Sequence, residues 1–217
     1  MRLLSRRETL VGLAASTLSI SVTDAAGPGV RVYAIRGLTS SLFSHGMVIL
    51  TDELNQYRGI KCTVEDHGFV YCENASIIAE NAASAAKLGQ KIVLIGHSYG
   101  GDCAVRAAMA LNEAKVRVAL LIAVDASWFS CPPVSANVAT AISYYQEIDP
   151  LGRHVLQPGP GFSGRMIKEL FVEPHVVIDK VAPVHEKIIA AVREVAGRPG
   201  KLQHPEQFPS PGSLDVY

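Results

Sequence analysis

Short apolar runs rich in β-branched residues alternate along the chain with longer stretches in which apolar side chains recur every three or four positions, the mixed period of an α/β protein. VRVYAI (30–35) predicts a first strand, followed by GLTSS and a helix from about Ser44 to Arg58. IKCTV (60–64) predicts a second strand, and the mixed segment EDHGFVYCEN leads to an Ala-rich helix from about Ala75 to Leu88, with Gly89 where a C-cap would place it. KIVLIG (91–96) and VRVALLIAV (116–124) are continuously apolar, as strands buried on both faces of a parallel sheet must be. Between them lies a second Ala-rich helix, from Tyr99 to about Asn112. NVATAISYY (137–145) is a weaker strand and MIKELFV (166–172) a last one, separated by the Gly/Pro-rich loop EIDPLGRHVLQPGPGFSGR. Pro183 suits the first turn of a final helix running to about Val195. No internal repeat interrupts this order. The expected fold class is α/β, a mostly parallel central sheet with helices on both faces, and in such sheets sites form at the carboxyl ends of the strands.

The first residues follow a different pattern. Arg6 and Arg7 precede an apolar stretch from Leu10 to Val22 and small residues around Ala25 and Ala26, the layout of an export signal over residues 1–26. SRRETL resembles the twin-arginine signal, which predicts export of the folded chain to the bacterial periplasm or beyond. The apolar run falls short of the roughly 20 residues that span a bilayer, so no permanent membrane anchor is expected. Residues 27–196 form the predicted domain, and 197–217, which lack periodicity, a flexible C-terminal tail.

Composition narrows the partners. With 217 residues, 48% of them hydrophobic, the chain can bury one substantial core without metal or disulfides. Twenty basic and twenty acidic side chains give a formal net charge of zero, and no basic cluster marks a nucleic-acid face, so the expected partner is a small molecule. Composition does not fix the oligomeric state. The four cysteines have no zinc spacing. Cys62 and Cys72 could pair after export, whereas Cys103 falls on a helix and reads as a buried small side chain.

Against that frame one short stretch stands out. Gly96, Ser98 and Gly100 form G-x-S-x-G between a predicted strand and a predicted helix, the setting of a nucleophile elbow. The tight turn demands small residues two before and two after the serine, lifts its Oγ above the sheet, and sets it at a helix N-terminus whose N–H groups favour a developing negative charge. A serine hydroxyl needs a base to take its proton and a carboxylate to orient that base, and elbow folds supply them in the order serine, acid, histidine. His204 lies in the tail and His154 in the Gly/Pro-rich loop. His185 lies inside the final helix, while His175 comes directly after the last strand, where a base can reach over the sheet. His175 is the favoured base and His185 its rival. Two aspartates compete for the acid: Asp125, directly after LLIAV, where an unpaired carboxylate would be costly, and Asp149 in the turn-prone IDPLG. Asp125 is favoured. For the oxyanion the candidates are the backbone N–H groups of Leu38, after the first strand, and of Tyr99.

With IRGL, GHSYGG, AVDAS and EPHVVID in these places, the chain resembles the α/β-hydrolase superfamily over about residues 30–196, specifically its small bacterial lipase- and thioesterase-like members. The resemblance implies a minimal form of that fold with no large lid, and a serine hydrolase that cleaves carboxylic esters or thioesters of a small-molecule acyl substrate, with no cofactor. It gives Asp149 the more usual place for the acid. Arg36 stands where many members of the superfamily carry the histidine of an HG pair. An acyltransferase and a catalytically inactive binding protein on the same fold are the alternatives.

Overall fold

In the computed structural model, residues 29–37, 45–66, 72–127, 131–148, 150–198 and 200–202 are described. Among them the element order is β1 (Val30–Arg36), α1 (Gly46–Leu54), β2 (Ile60–Asp66), α2 (Ala75–Lys87), β3 (Lys91–His97), α3 (Tyr99–Glu113), β4 (Val118–Val124), β5 (Thr140–Tyr145), β6 (Arg165–Leu170), α4 (His175–Ile178) and α5 (Ala182–Val195). The strands form one sheet in the order β2-β1-β3-β4-β5-β6, every pairing parallel. From β1 the chain steps out to β2 and then returns past β1 to build β3 onward, so strand order reverses between β1 and β3. The carboxyl ends of those two strands form the crevice where an open α/β sheet places its ligands.

Two apolar layers hold the sheet. α2 and α3 cover one face, where Ala75, Ile78, Ala79, Ala82 and Ala85 form the buried stripe of α2 against Ala104, Ala107, Ala108 and Leu111 of α3. Side chains this small bring the two helices close to each other and to the sheet. The other face packs Met47, Leu50 and Leu54 of α1 with Val184, Ile188 and Val192 of α5 against Val93, Ile95, Leu120 and Ile122. Each large aliphatic group buried in this way contributes roughly 1.5 to 3 kcal/mol. β2 and β6 are the edge strands, and on β6 the exposed Arg165 and Lys168 discourage pairing with another chain.

Some boundaries differ from the sequence reading. β5 begins at Thr140; ahead of it Asn137 ties the segment to α3 and to the approach to β4, its side chain donating to Ala108 O (3.0 Å) and Val116 O (2.8 Å). β6 ends at Leu170, after which Phe171 turns its ring edge-on to Tyr144, 5.4 Å between centroids. None of the four cysteines is in a disulfide. The bridge between Cys62 and Cys72 does not form because the two lie on opposite faces of the sheet, Cys62 with the α1 layer and Cys72 with the α2 layer. Cys103 is buried in α3, as read from the sequence. No helix among the described residues is long and apolar enough to cross a membrane.

Both ends of the described chain sit at the amino pole of the sheet. Val30 N–H bonds Gly59 O (2.7 Å), just before β2, and the same hairpin receives the C-terminal residues: Arg58 N–H bonds Gly200 O (3.2 Å) and Leu202 N–H bonds Gln56 O (2.6 Å). The expected tail is therefore tied down as far as Leu202. The export signal (1–26) and residues 203–217 lie outside the described residues.

Candidate active site

Ser98 is the single residue between β3 and α3, with φ 57° and ψ −128°, a conformation that costs a non-glycine residue of order 1–3 kcal/mol. Its neighbours must be glycine for reasons of space: a Cβ on Gly96 would lie 2.0 Å from Gly100 O, and one on Gly100 would lie 2.2 Å from Ile35 O. The strained turn is held by Ser98 N–H to Val124 O (3.1 Å) and by Gly101 N–H to Ser98 O (2.9 Å). Tyr99 opens α3, so its backbone N–H belongs to the first turn of a 15-residue helix, the end that favours negative charge.

Asp125, directly after β4, also has a positive φ, 45°, and is fully buried. Its N–H bonds Tyr144 O (2.6 Å). Its carboxylate accepts three hydrogen bonds: from His175 Nδ1 (2.7 Å), from Gln146 Nε2 (3.0 Å) and from Arg153 N–H (2.8 Å). Burial pushes the carboxyl pKa up, but the bonds from His175, Arg153 and Gln146 outweigh it and hold the group below the usual carboxylate range. Gly152 makes this cradle possible, since a Cβ there would lie 2.1 Å from the carboxylate.

His175 follows Glu173 and Pro174 and is the first residue of α4. The sequence reading put it on a loop. It sits instead on a one-turn helix started by Pro174, and its ring is mostly buried. Nε2 lies 2.9 Å from Ser98 Oγ. Because Nδ1 faces a carboxylate, it carries the proton and donates. Nε2 is then the lone-pair nitrogen, able to accept from the serine hydroxyl. Three residues read from the sequence thus meet in one line of contacts although 77 positions separate Ser98 from His175.

The rival histidines fall elsewhere. His185 is buried in α5, with its ring nitrogens 2.7 Å from Glu53 Oε2 and 2.7 Å from Asp179 O. His154 is held through its backbone, N–H to Ala126 O (3.2 Å). Leu38 and Asp149 lie outside the described residues. Arg36 forms an ion pair with Asp66 (2.7 Å) that joins the ends of β1 and β2. Gln146 and Gly152 were missed because a glutamine after a strand and a glycine in a Gly/Pro-rich loop carry no signal until the fold sets them against Asp125. Asp102, in the first turn of α3, was missed as well. It is 1% exposed, accepts from Ser127 Oγ–H (2.5 Å), and has its pKa raised to about 6 by burial, against the opposing bonds from Ser127 and Cys131. A cavity of about 700 Å³, rimmed by Lys87, Lys91, Lys115 and Arg117, opens at the amino ends of β3 and β4 and contains none of these groups.

Comparison with family models finds no match, and no curated protein matches the chain. Solved structures do. A putative α/β-superfamily hydrolase from Xanthomonas campestris superposes with TM-score 0.51 at 14% identity, covering 77% of this chain and 98% of that one. Human thioesterase 2 gives TM-score 0.51 at 12% identity over 77% and 98% of the two chains. A structure described for LipS and LipT, metagenome-derived lipolytic enzymes, gives 0.50 at 18% identity over 78% and 95%. At these identities the likeness establishes the fold: a six-stranded, open parallel sheet of the α/β-hydrolase type.

Proposed function

We propose that the protein is a serine hydrolase that cleaves carboxylic esters or thioesters through an acyl-enzyme on Ser98. The observation that carries this reading is the uninterrupted run Ser98 Oγ to His175 Nε2 (2.9 Å) and His175 Nδ1 to Asp125 (2.7 Å), built on a strained elbow. In the proposed reaction Ser98 Oγ–H gives its proton to His175 Nε2 as Oγ attacks the acyl carbon. Asp125, already ionised and buried, holds the imidazolium that forms. The oxyanion is received by the N–H groups of Tyr99 and Leu38. His175 then passes the proton to the departing alcohol or thiol. Water repeats the sequence on the acyl-enzyme, releasing the acid and restoring Ser98. No cofactor enters these steps, and the partner is a small acyl substrate. Arg6 and Arg7 ahead of the apolar run support a periplasmic or secreted location.

The test is covalent. A fluorophosphonate should modify the folded protein at neutral to mildly alkaline pH, mass spectrometry should find the adduct on the Ser98 peptide alone, and His175→Ala should abolish it. A wild-type protein that stays unlabelled overturns the reading. p-Nitrophenyl esters of rising chain length then identify the preferred acyl group.

A further inference from the structure

We infer that His97, the residue immediately before Ser98, is a positioning residue that fixes the base His175 through the base's own backbone; the inference rests on the roles proposed above for Ser98 and His175. His97 ends β3 on the face shared with Val93 and Ile95, turned away from the α2 and α3 layer, and is 1% exposed. Its Nε2 lies 2.9 Å from His175 O. A carbonyl oxygen only accepts, so Nε2 holds the proton and donates. A carbonyl oxygen carries two lone pairs, so His175 O can accept from His97 whatever bonds α4 makes within itself. The two imidazoles also stack obliquely, with centroids 4.9 Å apart and planes at 33°. Burial lowers the His97 pKa, which keeps a second positive charge from forming beside the ring that must accept a proton.

The far end of α4 is tied as firmly. Asp179, fully buried, accepts Gly46 N–H at its carboxylate (3.1 Å) from the first turn of α1. Its backbone carbonyl accepts from His185 Nε2 of α5 (2.7 Å). A turn of four residues has little rigidity of its own, so these contacts decide where His175 stands. The contact from His97 differs from the rest because it closes a ring: Ser98 is covalently joined to His97, His97 bonds the carbonyl of His175, and the ring of His175 bonds Ser98 Oγ. Nucleophile and base are thereby referenced to one strand end, and a displacement of about 1 Å at such a pair is enough to cost on the order of 100-fold in rate.

Two substitutions at His97 separate positioning from packing. His97→Leu fills the space without a donor, whereas His97→Gln places an amide nitrogen near the former Nε2. The second-order rate of fluorophosphonate labelling at Ser98 should fall about 10-fold or more in His97→Leu, and His97→Gln should recover most of it. Amide exchange at Val177 and Ile178, both bonded to Pro174 O, should quicken in the Leu variant and stay near wild type in the Gln variant. If His97→Leu does not fold, His97→Asn, whose shorter amide stops short of the carbonyl, replaces it. Wild-type labelling and exchange in the donor-less variant, or equal losses in both variants, overturns the inference. If wild-type Ser98 itself resists labelling, the hydrolase reading falls, while the exchange rates still decide whether His97 holds α4.

Discussion

Replacing Asp102 by asparagine should stabilise the protein, and increasingly so as the pH rises. Asp102 is 1% exposed in the first turn of α3, and its pKa stands at about 6 rather than 3.8, chiefly because burial penalises the charged form more than the Ser127 and Cys131 bonds favour it. A carboxyl that holds its proton more tightly in the folded chain than in the unfolded one contributes stability that is full below the unfolded value. That contribution is lost as the pH climbs through the folded value. At about 1.4 kcal/mol per unit, the interval amounts to about 3 kcal/mol lost by the wild type above about pH 7. Asparagine never ionises, and its Oδ1 can still accept the Ser127 hydroxyl, so Asp102→Asn escapes the loss. Urea unfolding at about pH 4.5 and about pH 8 measures the difference between variant and wild type, in which every other titrating group cancels. The advantage of the variant should grow by about 2 kcal/mol between those conditions, equivalent to about 4 to 8 °C in Tm for a domain of this size. A difference that is flat across the interval, or that moves against the variant as the pH rises, refutes the argument that a buried charge is carried beneath the elbow.

Other outcomes follow from the same contacts. Asp125→Asn replaces the acceptor facing His175 Nδ1 by an amide, which favours the tautomer with its proton on Nε2, so ester turnover of the folded variant should fall on the order of 10⁴-fold; a loss of less than about 10-fold would remove Asp125 from the proposed reaction. For export, residues 1–30 fused to a folded reporter should carry it to the periplasm, and lysine at both Arg6 and Arg7 should retain it inside; a double variant that is still exported would point to the general secretory route.

The sheet was legible because β3 and β4 are buried on both faces and their sequences are continuously apolar, so Ile92–Ile95 and Leu120–Val124 declare themselves without reference to the rest of the chain. Ser98 was legible because the elbow is a local device, with glycines at fixed offsets and a strand and a helix on either side. Asp125 and His175 could be chosen by chain order and by the cost of an unpaired buried carboxylate. What was hidden is what depends on approach between distant segments. Nothing near Asp179 in HVVIDK signals that its carboxylate meets Gly46, 133 positions away. Gln146 reads as an ordinary polar residue at a strand end. Period-two alternation did contain a warning about the cysteines, since Cys62 shares its side of β2 with Ile60, on the α1 face, but the face that α2 would cover could not be known before the topology.

The meeting of both ends of the described chain at the hairpin before β2 bears on how the domain can be attached to other things. Gly29 and Leu202 leave from the pole opposite the strand ends that carry Ser98, within a few residues of one another in space along Gln56–Gly59. A surface, a label or a carrier protein fixed directly at Gly29 or Leu202 therefore hangs away from the mouth of the crevice. The same proximity allows Gly29 and Leu202 to be joined by a short glycine-rich linker and the chain reopened in an exposed loop, so the domain from 29 to 202 can be inserted into a loop of another protein without turning the Ser98 side inward.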